Sequence, residues 1–300
     1  MFACNTPPRE AGTSVLVFAS FFAPILAAGF AEGKLSNMKK RAAPLLEMKN
    51  ISVMRGGNLA LDRFSLRIDV GEHLCILGPN GCGKSTLIRT LARENYPLVR
   101  EGSSMRILGR SLWNVFELRS QLGIVSPDLL TACTSDATGL DVVVSGFFSS
   151  TRIFPNHHPE AEHRRRAETA MERLKIAHLA GRAVAEMSSG EAKRTLIARA
   201  LVHEPRTLLF DEPSNALDIA GQVALRETLR ELAQSGLGIL LVTHHVSEII
   251  PEIARVVLLQ KGRVVADGPK PRVLTGARLS SLFGLSVKLT SADGYYHVLA

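Results

Sequence analysis

The sequence predicts an α/β fold. A parallel sheet forms its core, an antiparallel β lobe precedes it, and a run of helices is inserted before the last core strands. Three observations carry this expectation. The short, mostly apolar runs Leu74–Leu77, Thr207–Phe210 and Gly238–Thr243 lack the alternation of a half-wet strand, as expected for strands buried on both faces. Stretches with apolar residues at helical spacing lie between them. Each run ends abruptly in residues suited to chemistry: Gly78 onward, Asp211-Glu212, and Thr243-His244.

Taken in order, the first 37 residues stand apart. Glu10 to Glu32 encloses an uncharged stretch, and Val15 to Phe30 is mostly Val, Leu, Phe, Ala and Ile. It approaches the roughly 20 apolar residues of a bilayer span, but Gly12, Pro24 and Gly29 weaken it. A signal peptide would start more basic, so the favoured reading is an over-extended frame with Met38 as the natural start. A membrane anchor and an apolar tail are the alternatives. Leu46–Met54 and Phe64–Val70 alternate as strands of the antiparallel lobe. Ser104–Leu108 and Leu122–Ser126 read as further core strands. Residues 127–186 carry helical patterns, including a helix from Pro159 to about Ala180. Arg255–Asp267 reads as a hairpin about Lys261-Gly262, and Ser286–Leu299 as a second at Asp293-Gly294.

The strand Leu74–Leu77 leads into Gly78-Pro79-Asn80-Gly81-Cys82-Gly83-Lys84-Ser85-Thr86, and then into a helix. Strand, glycine-rich turn and helix together are the setting of a phosphate-binding P-loop. The glycines let backbone N–H groups turn inward around a polyphosphate, and the helix N-terminus adds a positive dipole end. Lys84 would reach the β- and γ-phosphates of ATP, and Ser85 would ligate Mg²⁺. Asp211 and Glu212 follow a buried strand, where acids are expected only as the strand emerges at its C-terminal end. Asp211 would hold the Mg²⁺, and Glu212 is the candidate general base for the attacking water.

Met187-Ser188-Ser189-Gly190-Glu191 opens the amphipathic helix Ala192–Val202, with Ser188 and Glu191 spaced as a capping box. Its place between the P-loop and the Asp-Glu strand resembles the ATP-binding cassette (ABC) ATPases, whose signature reads L-S-G-G-Q. Ser214-Asn215-Ala216-Leu217-Asp218 stands in the place of their D-loop, and His244 falls on their switch histidine. The resemblance implies a P-loop NTPase with a RecA-like core over residues 45–268, an inserted helical subdomain about 127–186, and a C-terminal extension at 269–300. It implies two cassettes paired head to tail. Ser188, Ser189, Gly190, Glu191 and Asp218 of one cassette would then serve the γ-phosphate held by the other, beside His244. A second cassette subunit and a separate multi-span permease are the implied partners, which places the chain in the cytoplasm on the inner face of the cell membrane. The stretch 279–287 is similar to the tail of importer ATPases for iron complexes, haem, cobalamin or molybdate. Two positions depart from the pattern. Arg55 stands where an aromatic usually stacks on adenine, and a guanidinium can also stack there. Pro127 stands where the Q-loop glutamine is expected, with Asp128 next to it.

Composition bounds the rest. Three hundred residues at 46% hydrophobic suffice for a full α/β domain. Cys4, Cys75, Cys82 and Cys133 form no Cys-x-x-Cys pair, so neither a zinc site nor a disulfide framework is expected. Cys82 is either a redox-sensitive thiol or simply the small residue the loop wants. The net charge of +8 gathers at Lys39-Lys40-Arg41 and His163-Arg164-Arg165-Arg166. These basic residues are not interleaved with aromatics, and no nucleic acid is expected. The alternative to a transporter motor is a soluble, permease-free ABC ATPase acting on nucleic acid, the ribosome or a regulatory partner, which Pro127 favours.

Overall fold

The computed structural model describes residues 43–299. The apolar stretch before Met38, the basic Lys39-Lys40-Arg41 run and Cys4 lie outside them. In chain order, β1 (Leu46–Arg55) and β2 (Asn58–Ile68) form an antiparallel hairpin, followed by β3 (Leu74–Leu77) and α1 (Lys84–Leu91). Next come β4 (Ser104–Ile107), α2 (Val115–Gln121), β5 (Leu122–Val125), α3 (Pro127–Cys133), α4 (Gly139–Val144) and α5 (Ala161–Arg173). Then follow α6 (Ser189–Leu201), β6 (Thr207–Asp211), α7 (Ile219–Gln234), β7 (Gly238–Thr243), β8 (Arg255–Gln260) and β9 (Arg263–Pro269). The chain ends in α8 (Lys270–Val273), α9 (Gly276–Phe283) and the hairpin β10 (Lys288–Ala292) and β11 (Tyr295–Leu299).

The main sheet has six strands in the order β5-β6-β7-β3-β8-β9. All its pairs are parallel except the last, β8 with β9. A second sheet has the order β2-β1-β4. It corrects one expectation: Ser104–Ile107 is not a core strand but pairs antiparallel with β1 in the lobe. The reason lies in its alternation. Met105 and Ile107 are buried while Ser104 and Arg106 are exposed, so the strand covers one face only.

The central strands divide the core by side-chain parity. Cys75 and Leu77, Leu208 and Phe210, Ile239 and Leu241, and Val256 and Leu258 face the helices α6, α7 and α9. Their neighbours Leu74, Ile76, Leu209, Leu240, Val242, Val257 and Leu259 face the opposite way, toward α1 and the antiparallel sheet. A period of two on strands buried on both faces gives this division, with one apolar layer on each side. The predicted helix over 159–180 is shorter, ending at Arg173. Lys175 takes a left-handed φ of 60°, and the Ile176 N–H turns back to the Met171 carbonyl, which closes the helix end. Both predicted hairpin turns are present. Lys261-Gly262 and Asp293-Gly294 have positive φ at both residues, as a tight turn matched to strand twist requires. No helix among the described residues is long and apolar enough to cross a membrane.

Candidate active site

Three neighbouring parallel strands, β6, β7 and β3, end side by side and carry the candidate residues. Leu77 pairs with Thr243 and Asp211 with Val242, so the glycine loop, the Asp-Glu pair and His244 emerge at one level. Ligands of open α/β sheets bind at such carboxyl ends.

The loop is shaped by close backbone approach. A Cβ on Gly83 would lie 2.5 Å from the Ala60 carbonyl oxygen, and its φ of +111° is outside the range other residues hold easily. A Cβ on Gly78 would strike the Leu259 carbonyl and lie 2.6 Å from Cys82 Sγ. The tip of the β8–β9 hairpin braces the loop, with the Gly262 N–H donating to the Cys82 carbonyl at 2.8 Å. Cys82 is buried, and burial pushes its thiol above the usual range, which keeps it from being a ready thiolate.

Lys84 is buried at the first turn of α1. Its Nζ donates to the Gly78 and Pro79 carbonyls at 2.9 and 3.1 Å and lies 3.2 Å from Glu212 Oε1. Glu212 has a left-handed φ of 46°, uncommon and costly for a residue with a side chain. Its N–H donates to the Val242 carbonyl at 2.8 Å, which fixes that turn against β7. Asn215 Nδ2 donates to Glu212 Oε2 at 2.8 Å. His244 Nδ1 lies 3.2 Å from Glu212 Oε1 without hydrogen-bond geometry, and that nitrogen is buried with no hydrogen-bond partner. Burial raises the proton affinity of Glu212, but the Asn215 amide, the Lys84 ammonium and His244 outweigh it. The carboxyl stays below its ordinary range and is ionised at neutral pH.

Asp211 behaves oppositely. Burial and the neighbouring Glu212 charge push it up to about 6, with Lys84 and the Ser85 hydroxyl pulling it back. Its Oδ1 is buried and has no hydrogen-bond partner. An ionised, buried oxygen without a donor is an unfavourable arrangement that a cation would relieve. With the Ser85 hydroxyl beside it, this donor set fits Mg²⁺. The loop geometry likewise fits a polyphosphate.

The structure places the remaining candidates elsewhere. Ser188, Ser189 and Gly190 line a separate cleft with Ala216, Leu217 and Asp218. The expected capping box is formed: Ser188 Oγ accepts from the Glu191 N–H, and Glu191 Oε2 accepts from the Ser188 N–H at 2.8 Å. A Cβ on Gly190 would meet nothing within 4 Å, so the helix end opens to space. Asp218 caps α7, accepting from the Gly221 N–H at 2.7 Å. Arg55 is exposed at the tip of the β1–β2 hairpin and, among the described residues, makes no hydrogen bond or ion pair with the loop. Pro127 is the first residue of α3, behind the N-cap Ser126, and Asp128 pairs with Arg89. Sequence reasoning missed Asn215 as the residue that orients Glu212. No spacing in the sequence signals it, because the contact depends on the left-handed turn at Glu212.

Comparisons with known proteins agree with this geometry. The family model described as "ABC transporter" matches residues 61–215. The uncharacterised ABC transporter ATP-binding protein YlmA of Bacillus subtilis is 31% identical over 244 residues, covering 80% of this chain and 90% of that protein. The hemin import ATP-binding protein HmuV of Bordetella avium is 32% identical over 249 residues, covering 80% and 92%. Among solved structures, cbiO1 of Clostridium perfringens, part of the ABC transporter complex cbiONQ, matches with a TM-score of 0.66 at 28% identity, covering 80% of this chain and 94% of that one. A transporter provisionally assigned to the metal-chelate type, in an inward-facing conformation, matches with a TM-score of 0.69 at 26% identity, covering 86% and 97%. Given the ordered site at the ends of β3, β6 and β7 and matches spanning most of its length, the chain belongs to the ATP-binding proteins of ABC transporters and is an ATPase of that family.

Proposed function

We propose that the chain is a Mg²⁺-dependent motor subunit that pairs with a second cassette and drives a separate multi-span permease, bound at the cytoplasmic face of the membrane. The observation that carries this reading is the convergence of Lys84, Asp211, Glu212 and His244 at three adjacent strand ends. In it, Lys84 turns from the Gly78 and Pro79 carbonyls to the β- and γ-phosphates of ATP, and the loop N–H groups from Gly81 to Thr86 surround them. Ser85 and Asp211 would hold Mg²⁺, which when bound would offset phosphate charge. Glu212, ionised and oriented by Asn215, accepts a proton from the water whose oxygen attacks the γ-phosphorus, and ADP leaves with the bridging oxygen. His244, whose Nδ1 lies 3.2 Å from Glu212 Oε1, steadies the γ-phosphate. Ser188, Ser189, Gly190, Glu191 and Asp218 line a cleft of their own, so in this reading they complete the partner's site. Arg55 stacks on the base.

Relatives named for hemin import, together with a metal-chelate neighbour, support an iron-complex or haem cargo. One observation favours the permease-free alternative. Pro127 begins a helix where a permease-contacting glutamine would otherwise lie, and it offers no polar group. A membrane pull-down of the Glu212→Gln protein in ATP, with mass spectrometry, separates the two readings. A co-purifying multi-span protein supports the motor; ribosomes, nucleic acid or a soluble dimer alone support the alternative.

A further inference from the structure

The turn that carries the base is gripped from the signature helix. Lys193 lies on α6, five residues after Ser188, and is 8% exposed. Its Nζ donates to the carbonyls of Pro213 and Asn215. Among the described residues it forms no ion pair with a carboxylate. Between those carbonyls, the Ser214 hydroxyl donates to Oε1 of Glu248. Glu248 is buried in the 3-10 turn Val246–Glu248, just past His244, and its Oε2 has no hydrogen-bond partner. Asn215, whose carbonyl Lys193 holds, presents its own amide to Glu212. One ammonium therefore joins the helix that opens the outer cleft to the residue that aims the base.

This arrangement is costly. A buried ammonium without a paired carboxylate loses hydration that two carbonyls only partly replace. Burial pushes the Lys193 amine down to about 8, with Glu248 offsetting part of that effect. An apolar side chain would pack α6 against the turn at lower cost, so simple packing does not account for a lysine here.

We propose that Lys193 is a positioning residue, which transmits the placement of the α6 N-terminus to Glu212 of the same chain by holding Asn215. Contact between Ser188 or Gly190 and a phosphate at the partner's site then sets the base of this chain's own site, linking the two hydrolysis events. The inference rests on the proposed function, in which Glu212 is the base and the signature residues act in trans.

The test compares Lys193→Met, Lys193→Gln, Asn215→Ala and the double variant Lys193→Met/Asn215→Ala in the full chain, with Glu212→Gln alongside. Steady-state ATPase kinetics and thermal melts are recorded for each. Lys193→Met is expected to lower kcat about tenfold with KM for ATP within about twofold, the pattern of a lost transition-state contribution. Lys193→Gln, which keeps a donor, should recover part of kcat; it serves as the measured variant if the methionine protein does not fold. In the Asn215→Ala background the methionine substitution should cost less than about twofold more, because both act through one contact. Wild-type kcat in Lys193→Met, or losses that multiply in full in the double variant, would overturn the proposal. Wild-type turnover by Glu212→Gln would instead remove the base assignment itself, so the two failures are distinguishable.

Discussion

At the scale of single residues, the site is set by groups whose surroundings oppose their chemistry. Asp211 is the clearest case. Its carboxyl is pushed up to about 6, while the same group in an unfolded chain titrates near 3.8. A raised carboxylate binds more protons folded than unfolded, so it costs stability as pH rises from about 4, and the cost levels off above about 6. Asp211→Asn should therefore raise the stability of the nucleotide-free protein at pH 7.5 by about 3 kcal/mol while abolishing hydrolysis. The gain over wild type should shrink as pH falls toward 4, measured by denaturant melts across that range. A constant gain would show that Asp211 is not the strained group. Gly83 gives a second residue-scale test. Gly83→Ala forces a Cβ against the Ala60 carbonyl at a φ of +111°, so ATP binding should fall by at least about tenfold in equilibrium titration, roughly 1.4 kcal/mol. Cys82 should react slowly with maleimides in the folded protein, since burial holds it as a thiol.

Single elements differ in how much of them the sequence reveals. The three buried strands and their polar ends are readable because a doubly covered strand has no alternation to disguise it. The strand Ser104–Ile107 reads as a core strand because four residues are too few for alternation to stand out, and only its pairing with β1 reveals the lobe it joins. The end of α5 depends on one left-handed residue, Lys175, with no glycine to announce it. Lys193 and Asn215 are invisible for a related reason. Their partners are backbone carbonyls and a carboxylate brought close by the left-handed turn at Glu212, and no residue spacing encodes that turn. Pro127 becomes intelligible as an element feature. Proline suits the first turn of a helix, and Ser126 caps that helix by accepting from the Leu129 N–H. Ser126→Ala should destabilise the protein by about 1 kcal/mol through loss of this cap. An unchanged melting midpoint would show that α3 needs no cap.

Across the described residues, the main sheet has two different apolar faces, and the candidate residues fall into two groups. Lys84, Asp211, Glu212 and His244 converge at the strand ends, and Ser188, Ser189, Gly190 and Asp218 line a separate cleft. If each group is half of a site, activity belongs to a pair of chains. Ser188→Arg should then abolish turnover while leaving nucleotide binding to the same chain's P-loop within about twofold, by filling the outer cleft with a cation and its long stem. Binding lost together with activity would argue that the signature helix serves its own loop. Pairing and the base assignment are tested together by sedimentation of the Glu212→Gln protein with and without ATP and Mg²⁺, alongside its turnover. A dimer is expected only with both ligands, and turnover reduced by at least about a hundredfold. A protein that stays monomeric in ATP and Mg²⁺, or hydrolyses ATP at the wild-type rate, would contradict the composite site.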